Sequence, residues 1–329
     1  MKLSVVIPTR NRAVLLYRAL ASLINQTLSH DDFEVLIIDN GSVDNTKQII
    51  NSFSDKIKNL KYFYETKPGL HQGRHRGLKE AESDIIVYCD DDIEAFPTWL
   101  EAIKKSFNDN RVVLVGGKNL PNWESKPPVW IKKWYEKGNK YGNCLGYLSI
   151  INFGDFNREI NPNYVWGCNF SIRKEIVLQA GGFHPDSMPS DLMFHRGDGE
   201  SYVTRYIKSK GLKAIYNPLA SVYHFVPNDR MTLDYFLKRS YNQGISDSYT
   251  YMRNVRQIKY KDFSGLKTIF PQLFNKISTY INSFSKKKGN LVEINNAHSR
   301  GVIDHFNAAS TDNNLKEWIL RDNYLNDFQ

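Results

Sequence analysis

Three adjacent carboxylates, Asp90, Asp91 and Asp92, directly follow the mostly apolar run at residues 84–89. Adjacent carboxylates repel one another, and burying them without neutralisation is costly. A divalent cation such as Mg²⁺ or Mn²⁺ removes the repulsion when one or two carboxylates hold it together with phosphate oxygens. In extended backbone, Asp90 and Asp92 point to one face and Asp91 to the other. The pattern favours a metal site; its alternative is a solvated acidic loop that caps a helix at 97–107.

Two further polar clusters end apolar runs in the same way. The cluster at residues 8–11, PTRN, follows the run at 3–7, and the cluster at 39–42, DNGS, follows the run at 33–38. The carboxyl ends of parallel strands lie at one edge of a sheet, and open α/β sheets bind ligands beyond that edge. The three clusters are therefore predicted to share one ligand site.

The loop after the first run excludes two nucleotide-binding classes. A dinucleotide site requires GxGxxG after the first strand, and residues 8–12 contain no glycine. A P-loop requires GxxxxGK(S/T), which the chain lacks. Neither an NAD-type oxidoreductase nor a P-loop NTPase is expected.

Short apolar runs alternate with amphipathic stretches through residues 1–115. Strands are predicted at 3–7, 33–38, 60–64 and 84–89, and helices at 13–24, 46–53 and 97–107. This alternation predicts a doubly wound α/β domain whose sheet is covered on both faces. Residues 118–163, rich in Asn, Pro, Gly and aromatics, are predicted to be irregular. From residue 229 onward the pattern is helical, and residues 266–284 form an amphipathic stripe.

Four segments together resemble one protein family in order and spacing. MKLSVVIPTRNR, VLIIDNGSVDNT, KPGLHQGRHRGL and IIVYCDDDIE are similar to the motifs of family 2 glycosyltransferases of the GT-A fold. The resemblance covers residues 1–225. It implies a doubly wound mixed sheet in a catalytic domain at 1–228, with a nucleotide-binding half at 1–115 and an acceptor-side half at 116–228. A helical, basic C-terminal extension at 229–329 completes the expected α/β architecture.

The resemblance implies a donor site at the strand edge. On this basis Asp39 reads the edge of the nucleobase, with Asn40 where the family often has a second acid. Arg74 contacts the nucleotide, with His75 where the family usually has an asparagine. Asp90 and Asp92 match the two acids that contact the ribose and the metal-bound diphosphate. The implied nucleotide-sugar contacts are Pro8, Thr9, Asn11, Asp39, Arg74, Asp90 and Asp91, with Asp92 and His224 as implied metal ligands.

The resemblance continues on the acceptor side. Residues 166–173, WGCNFSIR, resemble the family's acceptor-side strand, which implies that Trp166, Gly167 and Asn169 lie near the acceptor. The family's catalytic-base motif falls on Asp198, with Glu200 as the second candidate.

Four of the candidates also have plainer interpretations. Asp198 would suit the N-cap of a helix at 200–209. His224 stands where some family members use histidine toward metal or diphosphate, but a histidine beside aromatics is equally a hydrogen-bonded core residue. Arg230 and Arg239 could meet a phosphate, although a solvated helix face is favoured for both.

Composition excludes several protein classes. The 329-residue chain is 41% hydrophobic and 24% charged, which is ordinary for a globular protein and not for a disordered or fibrous one. No apolar run reaches the roughly 18 residues that a membrane span needs. The N-terminus lacks a secretory pattern, and three cysteines without CxxC spacing argue against disulfides or zinc. A cytoplasmic location is expected.

The net charge of +9 is concentrated in residues 251–290, which hold nine Lys/Arg against the single acid Asp262. Interleaved aromatic residues make the segment amphipathic. This predicts that it contacts the anionic inner face of a membrane as a peripheral segment. The alternative is that its apolar face packs on the rest of the chain or on a second subunit of a homo-oligomer. Nucleic acid is not an expected partner, because no RRM, KH or helix-turn-helix signature accompanies the charge.

The residues and the resemblance together predict an enzyme that uses Mn²⁺ or Mg²⁺. The expected reaction is inverting transfer of a sugar from a nucleotide-diphosphate donor to the hydroxyl of a glycan or lipid-linked acceptor, in surface polysaccharide or glycoconjugate biosynthesis. One alternative is a nucleotidyltransferase, which would need a glycine-rich phosphate loop after the first strand. Another is a non-catalytic sugar-nucleotide or glycan-binding module, against which the intact Asp90, Asp92 and Asp198 argue.

Overall fold

The computed structural model describes residues 2–255 and 288–325. Their contacts divide them into two units. The sheet unit comprises residues 2–191, 199–231 and 322–325, and the helical unit comprises residues 192–198 together with the described part of 232–321. The predicted domains 1–228 and 229–329 stay a prediction.

A mixed eight-stranded sheet forms the centre of the sheet unit. Its strands are β1 (Leu3–Thr9), β2 (Phe33–Asp39), β3 (Leu60–Tyr64), β4 (Ile85–Cys89), β6 (Val112–Gly116), β10 (Arg158–Glu159), β11 (Asn169–Arg173) and β12 (Lys213–Tyr216). Their order is β10-β12-β6-β11-β4-β1-β2-β3. Strand β11 runs antiparallel to β4 and β6, whereas β1, β2, β3 and β4 are mutually parallel. The expected mixed α/β sheet is confirmed.

A second, five-stranded sheet lies in the same unit. It contains β5 (Ile93–Ala95), β7 (Asn119–Trp123), β8 (Asn143–Leu145), β9 (Ile150–Asn152) and β13 (Val222–Val226), in the order β5-β13-β7-β9-β8. The expectation that residues 118–163 are irregular is therefore wrong. These strands were missed because they are short and carry Asn and Pro instead of a continuous apolar run, as in NLPNW at 119–123.

Seven α-helices accompany the two sheets within the described part of this unit. They are α1 (Ala13–Ile24), α2 (Thr46–Asn51), α3 (Leu70–Glu80), α4 (Trp99–Ser106), α5 (Val129–Lys137), α6 (Lys174–Ala180) and α7 (Glu200–Ser209). The predicted helices at 13–24, 46–53 and 97–107 are confirmed as α1, α2 and α4, with ends shifted by a few residues. Strands β1, β2 and β4 are buried along their whole lengths, which explains their continuous apolar sequences.

Helix α3 lies unusually close to the large sheet. A Cβ atom added at Gly77 would lie 2.2 Å from Val6 Cγ1, and one at Gly73 would lie 2.9 Å from Pro8 Cβ. Only glycine permits this approach, so the face of α3 that meets β1 has no apolar periodicity to mark it in the sequence. The close approach sets the depth at which the other side chains of α3 enter the unit.

The helical unit contains α8 (Leu233–Val255), α9 (Lys288–Thr311) and α10 (Asn313–Leu320) among its described residues. Helices α8 and α9 touch at two glycines, because a Cβ at Gly244 or Gly301 would lie about 2 Å from the facing backbone (2.1 and 2.0 Å). The expected helical C-terminal extension is confirmed. Among the helices that the structure describes, none is both long enough and apolar enough to cross a membrane. The predicted stripe at 266–284 lies outside the described residues.

Two histidines of α3 are buried in the sheet unit. His71 and His75 are each 1% exposed, and His75 Nε2 accepts a hydrogen bond from the backbone N–H of Phe183 at 2.8 Å. Burial lowers the pKa of His71 to about 3 and lowers the pKa of His75 well below its usual value. Both side chains are therefore neutral in the folded protein near neutral pH.

This burial predicts acid sensitivity with a definite sign. Below the unfolded-state pKa near 6.5 the unfolded chain binds protons that folded His71 and His75 do not, so stability is full above that pH and falls below it. Each histidine contributes up to about 1.4 kcal/mol per pH unit to the decline. His75→Gln, which keeps an acceptor, should flatten the dependence of the unfolding free energy on pH by about that slope. Urea titrations between pH 7 and 5 measure it.

The matched control is His30→Gln, because His30 is half-buried next to Phe33 and has no place in this pair. An unchanged slope in His75→Gln would contradict the assignment of the neutral state.

Candidate active site

Strand register brings the ends of β1, β2 and β4 to one edge of the large sheet. Thr9 pairs with Asp39 across β1 and β2, and Val6 pairs with Tyr88 across β1 and β4. The three polar clusters found in the sequence therefore meet at this edge, which we call the strand edge.

Asn11 links the loop that follows β1 to the loop that follows β2 through hydrogen bonds. Its backbone N–H donates to Ser42 Oγ at 2.9 Å, and its Oδ1 accepts from the backbone N–H of Val43 at 2.8 Å. Its φ of +54° lies in the left-handed region, which asparagine enters more readily than most residues. Pro8, one of the predicted nucleoside contacts, is buried in β1 against α3. Contact of Pro8 and Asn11 with a nucleoside stays a prediction.

Asp39 ends β2 as a buried carboxylate that accepts one hydrogen bond at each oxygen. Its Oδ1 accepts from the backbone N–H of Ser42 at 2.8 Å, and its Oδ2 accepts from the hydroxyl of Tyr62 at 3.1 Å. Burial, followed by this bond to Asp39, raises the pKa of Tyr62 to about 12. The adjacent Asn40 donates to the carbonyl of Lys67 at 2.6 Å. These bonds fix the orientation of the carboxylate predicted to read the nucleobase.

Asp91 shares the Arg12 guanidinium with Asp92, because the chain turns at residues 91–92; the expected extended alternation that would separate these two side chains is wrong. Its Oδ2 accepts from Thr9 Oγ1 at 2.7 Å, and its Oδ1 accepts from Arg12 Nη1 at 2.5 Å. Burial raises the pKa of Asp91 to about 7, against the opposing attraction of Arg12. Thr9 and Asp91, both predicted to contact the nucleotide sugar, are thus joined to each other across the ends of β1 and β4.

Asp92 lies among three basic side chains. Its Oδ2 is 3.2 Å from Arg12 Nη1 and 3.3 Å from Arg230 Nη1, and its Oδ1 is 3.2 Å from His224 Nε2. Burial alone would raise the pKa of Asp92, but His224, Arg12 and Arg230 outweigh it and lower the pKa below the usual range. Asp92 is therefore ionised in the folded protein.

A third arginine serves Asp90. Arg74 Nη2 lies 3.8 Å from Asp90 Oδ1, and Arg74 Nη1 donates to Glu200 Oε2 at 3.0 Å. The other oxygen of Glu200 accepts from the backbone N–H of Gly167 at 3.1 Å. Burial raises the pKa of Asp90, although Arg74 opposes this. Glycine leaves room for this guanidinium, because a Cβ at Gly167 would lie 2.1 Å from Arg74 Nη2.

Asp90, Asp92 and His224 together offer ligand atoms for a cation. One atom from each lies within 4.8 Å of the others. Asp92 Oδ1 is buried and faces His224 Nε2, and no described donor reaches this oxygen in hydrogen-bond geometry. Two ligands that bind one cation at about 2.1 Å and at right angles lie about 3 Å apart, close to this spacing. The donor set therefore fits a divalent cation.

The contacts of Trp166 and Asn169, two of the predicted acceptor-side residues, differ. Trp166 is partly exposed, and its Nε1 donates to the carbonyl of Asn163 at 3.1 Å. Asn169 is 1% exposed; its amide donates to Asn119 Oδ1 at 3.2 Å and to the carbonyl of Ala220 at 2.9 Å, and it accepts from Trp99 Nε1 at 3.0 Å. These bonds use the whole Asn169 amide and favour a structural role for it. The acceptor-side assignments stay predictions.

Asp198 belongs to the helical unit, where its Oδ2 accepts from Thr250 Oγ1 at 2.6 Å. The interpretation of Asp198 as a helix N-cap is wrong, because Gly199 is the N-cap residue of α7 and no side chain caps that end. Gly199 has φ +53°, and a Cβ there would lie 3.0 Å from Asp186 Oδ2. The crowded, left-handed position explains why the chain carries glycine between Asp198 and Glu200.

Sequence reasoning missed Arg12 and undervalued Arg230. Arg12 is half-buried and pairs with Asp91 and Asp92, although the sequence marks it merely as the residue after the first cluster. The interpretation of Arg230 as part of a solvated helix face is wrong, since it pairs with Asp92 from a short 3₁₀ turn at Asn228–Met231. Arg239 lies on α8 in the helical unit.

The fold is that of one class of protein, the GT-A-type glycosyltransferases. The structure is similar to that of a mannosyltransferase from Pyrobaculum calidifontis, solved in complex with GDP-Man and Mn²⁺, with a TM-score of 0.55 and 17% sequence identity. The match covers 98% of this chain and 84% of that one. At this identity the likeness concerns the fold.

The family is shown by the sequence itself. The model of glycosyl transferase family 2 matches residues 4–178, more than half of the chain, and the chain belongs to that family. The glycosyltransferase expectation is thereby confirmed.

Two relatives differ in identity and in how much of this chain they match. A glucosyl-dolichyl phosphate glucuronosyltransferase of Haloferax volcanii is 24% identical over 252 residues, which are 75% of this chain and 76% of the relative. A GalNAc(5)-diNAcBac-PP-undecaprenol beta-1,3-glucosyltransferase of Campylobacter jejuni is 32% identical over 117 residues, which are 35% of this chain and 37% of the relative.

Gly167 provides a test of the Arg74–Glu200 arrangement. Gly167→Ala should displace the Arg74 guanidinium, because the added methyl group would occupy its place. We expect nucleoside diphosphate affinity, measured by calorimetry with UDP and GDP in Mn²⁺, to fall about tenfold or more, since a buried charge loses its geometry. Gly146→Ala is the control, because the nearest atom to its Cβ would be 3.9 Å away. Equal affinities in the two variants would refute the role given to Arg74.

Proposed function

We propose that the protein is a metal-dependent, inverting glycosyltransferase that moves a sugar from a nucleotide-diphosphate donor to an acceptor hydroxyl. One observation carries the proposal: Asp90, Asp92 and His224 converge at the strand edge, beside the buried guanidinium of Arg74. Open α/β sheets bind ligands at such an edge. A cluster of this kind suits a nucleotide diphosphate because its phosphates complete the coordination of a divalent cation.

The donor set favours Mn²⁺ over Mg²⁺. Carboxylate oxygens suit both ions, but the imidazole of His224 is a ligand that transition metals accept more readily than Mg²⁺ does. Asp92 and His224 would hold the ion, with Asp90 as the third donor. When bound, the ion supplies positive charge that stabilises the departing diphosphate.

The protein's own residues have distinct parts in the proposed reaction. Asp39, fixed by Ser42 and Tyr62, offers its carboxylate to the nucleoside. Arg74 is held by Glu200 next to Asp90, so its guanidinium is oriented before a ligand binds. Preorganised cations of this kind stabilise charge that develops on a leaving group.

Inversion requires a single displacement, in which the acceptor hydroxyl attacks the anomeric carbon and a carboxylate takes its proton. Both oxygens of Glu200 already accept hydrogen bonds, from Arg74 and from the backbone of Gly167. This favours a positioning role for Glu200. Asp198, two residues earlier, remains our proposed base.

The acceptor is proposed to be a glycan on a lipid carrier, in surface polysaccharide or glycoconjugate biosynthesis. The names of two relatives, from Haloferax volcanii and Campylobacter jejuni, include a dolichyl phosphate and an undecaprenol. The nine cations of residues 251–290 agree with peripheral contact to an anionic membrane. Most of that segment lies outside the described residues, so this part of the proposal depends on its sequence.

The metal assignment is tested by Asp92→Asn. The variant should lose Mn²⁺ affinity by more than about 100-fold and lose the Mn²⁺-dependent part of its affinity for UDP, GDP or dTDP, because it loses a ligand charge. Calorimetry with and without Mn²⁺ measures both effects. Asp31→Asn is the control, since Asp31 is an exposed partner of Lys58. Wild-type binding of nucleotide and metal by Asp92→Asn would refute the metal site.

The base is tested by comparing Asp198→Asn with Glu200→Gln. Asp198→Asn should keep donor affinity and lose turnover by about 10²–10⁴-fold, because the base acts on the acceptor hydroxyl. Glu200→Gln should weaken donor binding, because Arg74 loses its charged partner. Asp191→Asn, an exposed neighbour in sequence, is the control. Full turnover in Asp198→Asn, together with lost turnover and unchanged donor affinity in Glu200→Gln, would move the base to Glu200.

A further inference from the structure

Two guanidinium groups share one oxygen of Asp92, but they are held very differently. Arg12 Nη1 lies 2.5 Å from Asp91 Oδ1 and 3.2 Å from Asp92 Oδ2, so it bridges two carboxylates. Arg230 Nη1 lies 3.3 Å from Asp92 Oδ2, its one ion pair among the described residues. Arg12 is therefore a fixed counter-ion of two carboxylates, whereas Arg230 makes a single and longer contact with one carboxylate.

The backbone that carries Arg230 is held by hydrogen bonds, whereas its guanidinium is held by the single contact with Asp92. Arg230 lies in the 3₁₀ turn directly after β13, the strand of His224. Its N–H donates to the carbonyl of Pro227 at 3.1 Å, and the neighbouring Asn228 N–H donates to Glu124 Oε2 at 2.7 Å. The Arg230 side chain is 23% exposed, against 3% for that of Asp92. Because one contact at 3.3 Å holds the side chain, it can leave Asp92 for a position nearer solvent while its backbone stays in place.

A divalent cation at Asp90, Asp92 and His224 would share the Asp92 carboxylate with Arg230, because the free Oδ1 faces His224 and Arg230 lies at Oδ2. Both the ion and the guanidinium are attracted to the same buried carboxylate, and two positive charges on one carboxylate repel each other. Once an ion neutralises Asp92, the attraction that retains Arg230 is gone. A diphosphate beside the ion would then be the nearest anion to Arg230. Arginine binds phosphate oxygens through bidentate hydrogen bonds.

We propose that Arg230 is an exchangeable counter-ion of the donor site. It neutralises Asp92 before a divalent cation binds, and it turns to the diphosphate afterwards. The inference rests on the proposed metal site, but it concerns a residue that the family resemblance does not assign. It makes metal binding without nucleotide weak and metal binding with nucleotide strong, because the nucleotide gives the displaced guanidinium a new partner.

The test is Arg230→Gln, with opposite effects expected on the two ligands. Without nucleotide, Mn²⁺ should bind about tenfold tighter, because the competing charge is gone; a +2 and a +1 charge roughly 6 Å apart repel by about this factor even in water. In saturating Mn²⁺, UDP or GDP should bind about tenfold weaker. Free Mn²⁺ is measured by electron paramagnetic resonance, and nucleotide affinity by calorimetry.

Two further variants keep the outcome decisive. Arg230→Lys retains the charge and should leave Mn²⁺ affinity near that of the wild type. Arg111→Gln removes the same charge at an exposed pair with Asp109 and should change neither affinity. Circular dichroism confirms that each variant is folded.

The outcomes separate this inference from the metal site on which it rests. If wild-type Mn²⁺ binding does not depend on Asp92, the metal site fails. If Mn²⁺ binding depends on Asp92 but Arg230→Gln leaves it unchanged or weaker, the counter-ion inference is wrong and the metal site stands.

Discussion

Mutual repulsion among Asp90, Asp91 and Asp92 is the constraint on which the rest of the strand edge depends. Three carboxylates that follow a buried strand are stable when each has its own neutralising partner. Arg12 serves Asp91 and Asp92, and Arg74 lies 3.8 Å from Asp90. These arginines come from separate elements, the start of α1 and the face of α3. The acidic cluster therefore requires the assembled fold.

Helix α3 shows how packing delivers one of these charges. Gly73 and Gly77 let the helix approach β1 so closely that Arg74, between them, is 2% exposed. A buried guanidinium needs charged partners on more than one side, and Asp90 and Glu200 provide them. Burial keeps His75 neutral, so it adds no competing charge beside Arg74. The choice of small and neutral residues around Arg74 is thus part of the electrostatics of the site.

The sequence predicted those parts of the fold whose burial shows as a local apolar period. Strands β1, β2 and β4 and helix α1 have such patterns, and they were placed nearly to their ends. Helix α3 was not placed because glycine and histidine occupy much of its buried face, and strands β7, β8 and β9 were not placed because they are short and carry Asn or Pro instead of a continuous apolar run. The same limit applied to the site. The acids at strand ends were visible, whereas the pairing of Asp92 with Arg230 depends on contact between residues that are far apart in the chain.

The charges at the strand edge also explain why metal and nucleotide should bind together. In the network of ion pairs around Asp90 and Asp92, the acids Asp90, Asp91, Asp92 and Glu200 contribute four negative charges when ionised, against three positive charges from Arg12, Arg74 and Arg230. The balance is close to neutral, so neither a lone cation nor a lone diphosphate gains much from entering. A divalent cation makes the edge positive and a diphosphate restores the balance, so each ligand raises the affinity for the other by the same factor. A diphosphate and a divalent cation bound together therefore leave the strand edge closer to neutral than either ligand alone. This is a physical reason for a nucleotide-sugar site to contain both acids and arginines.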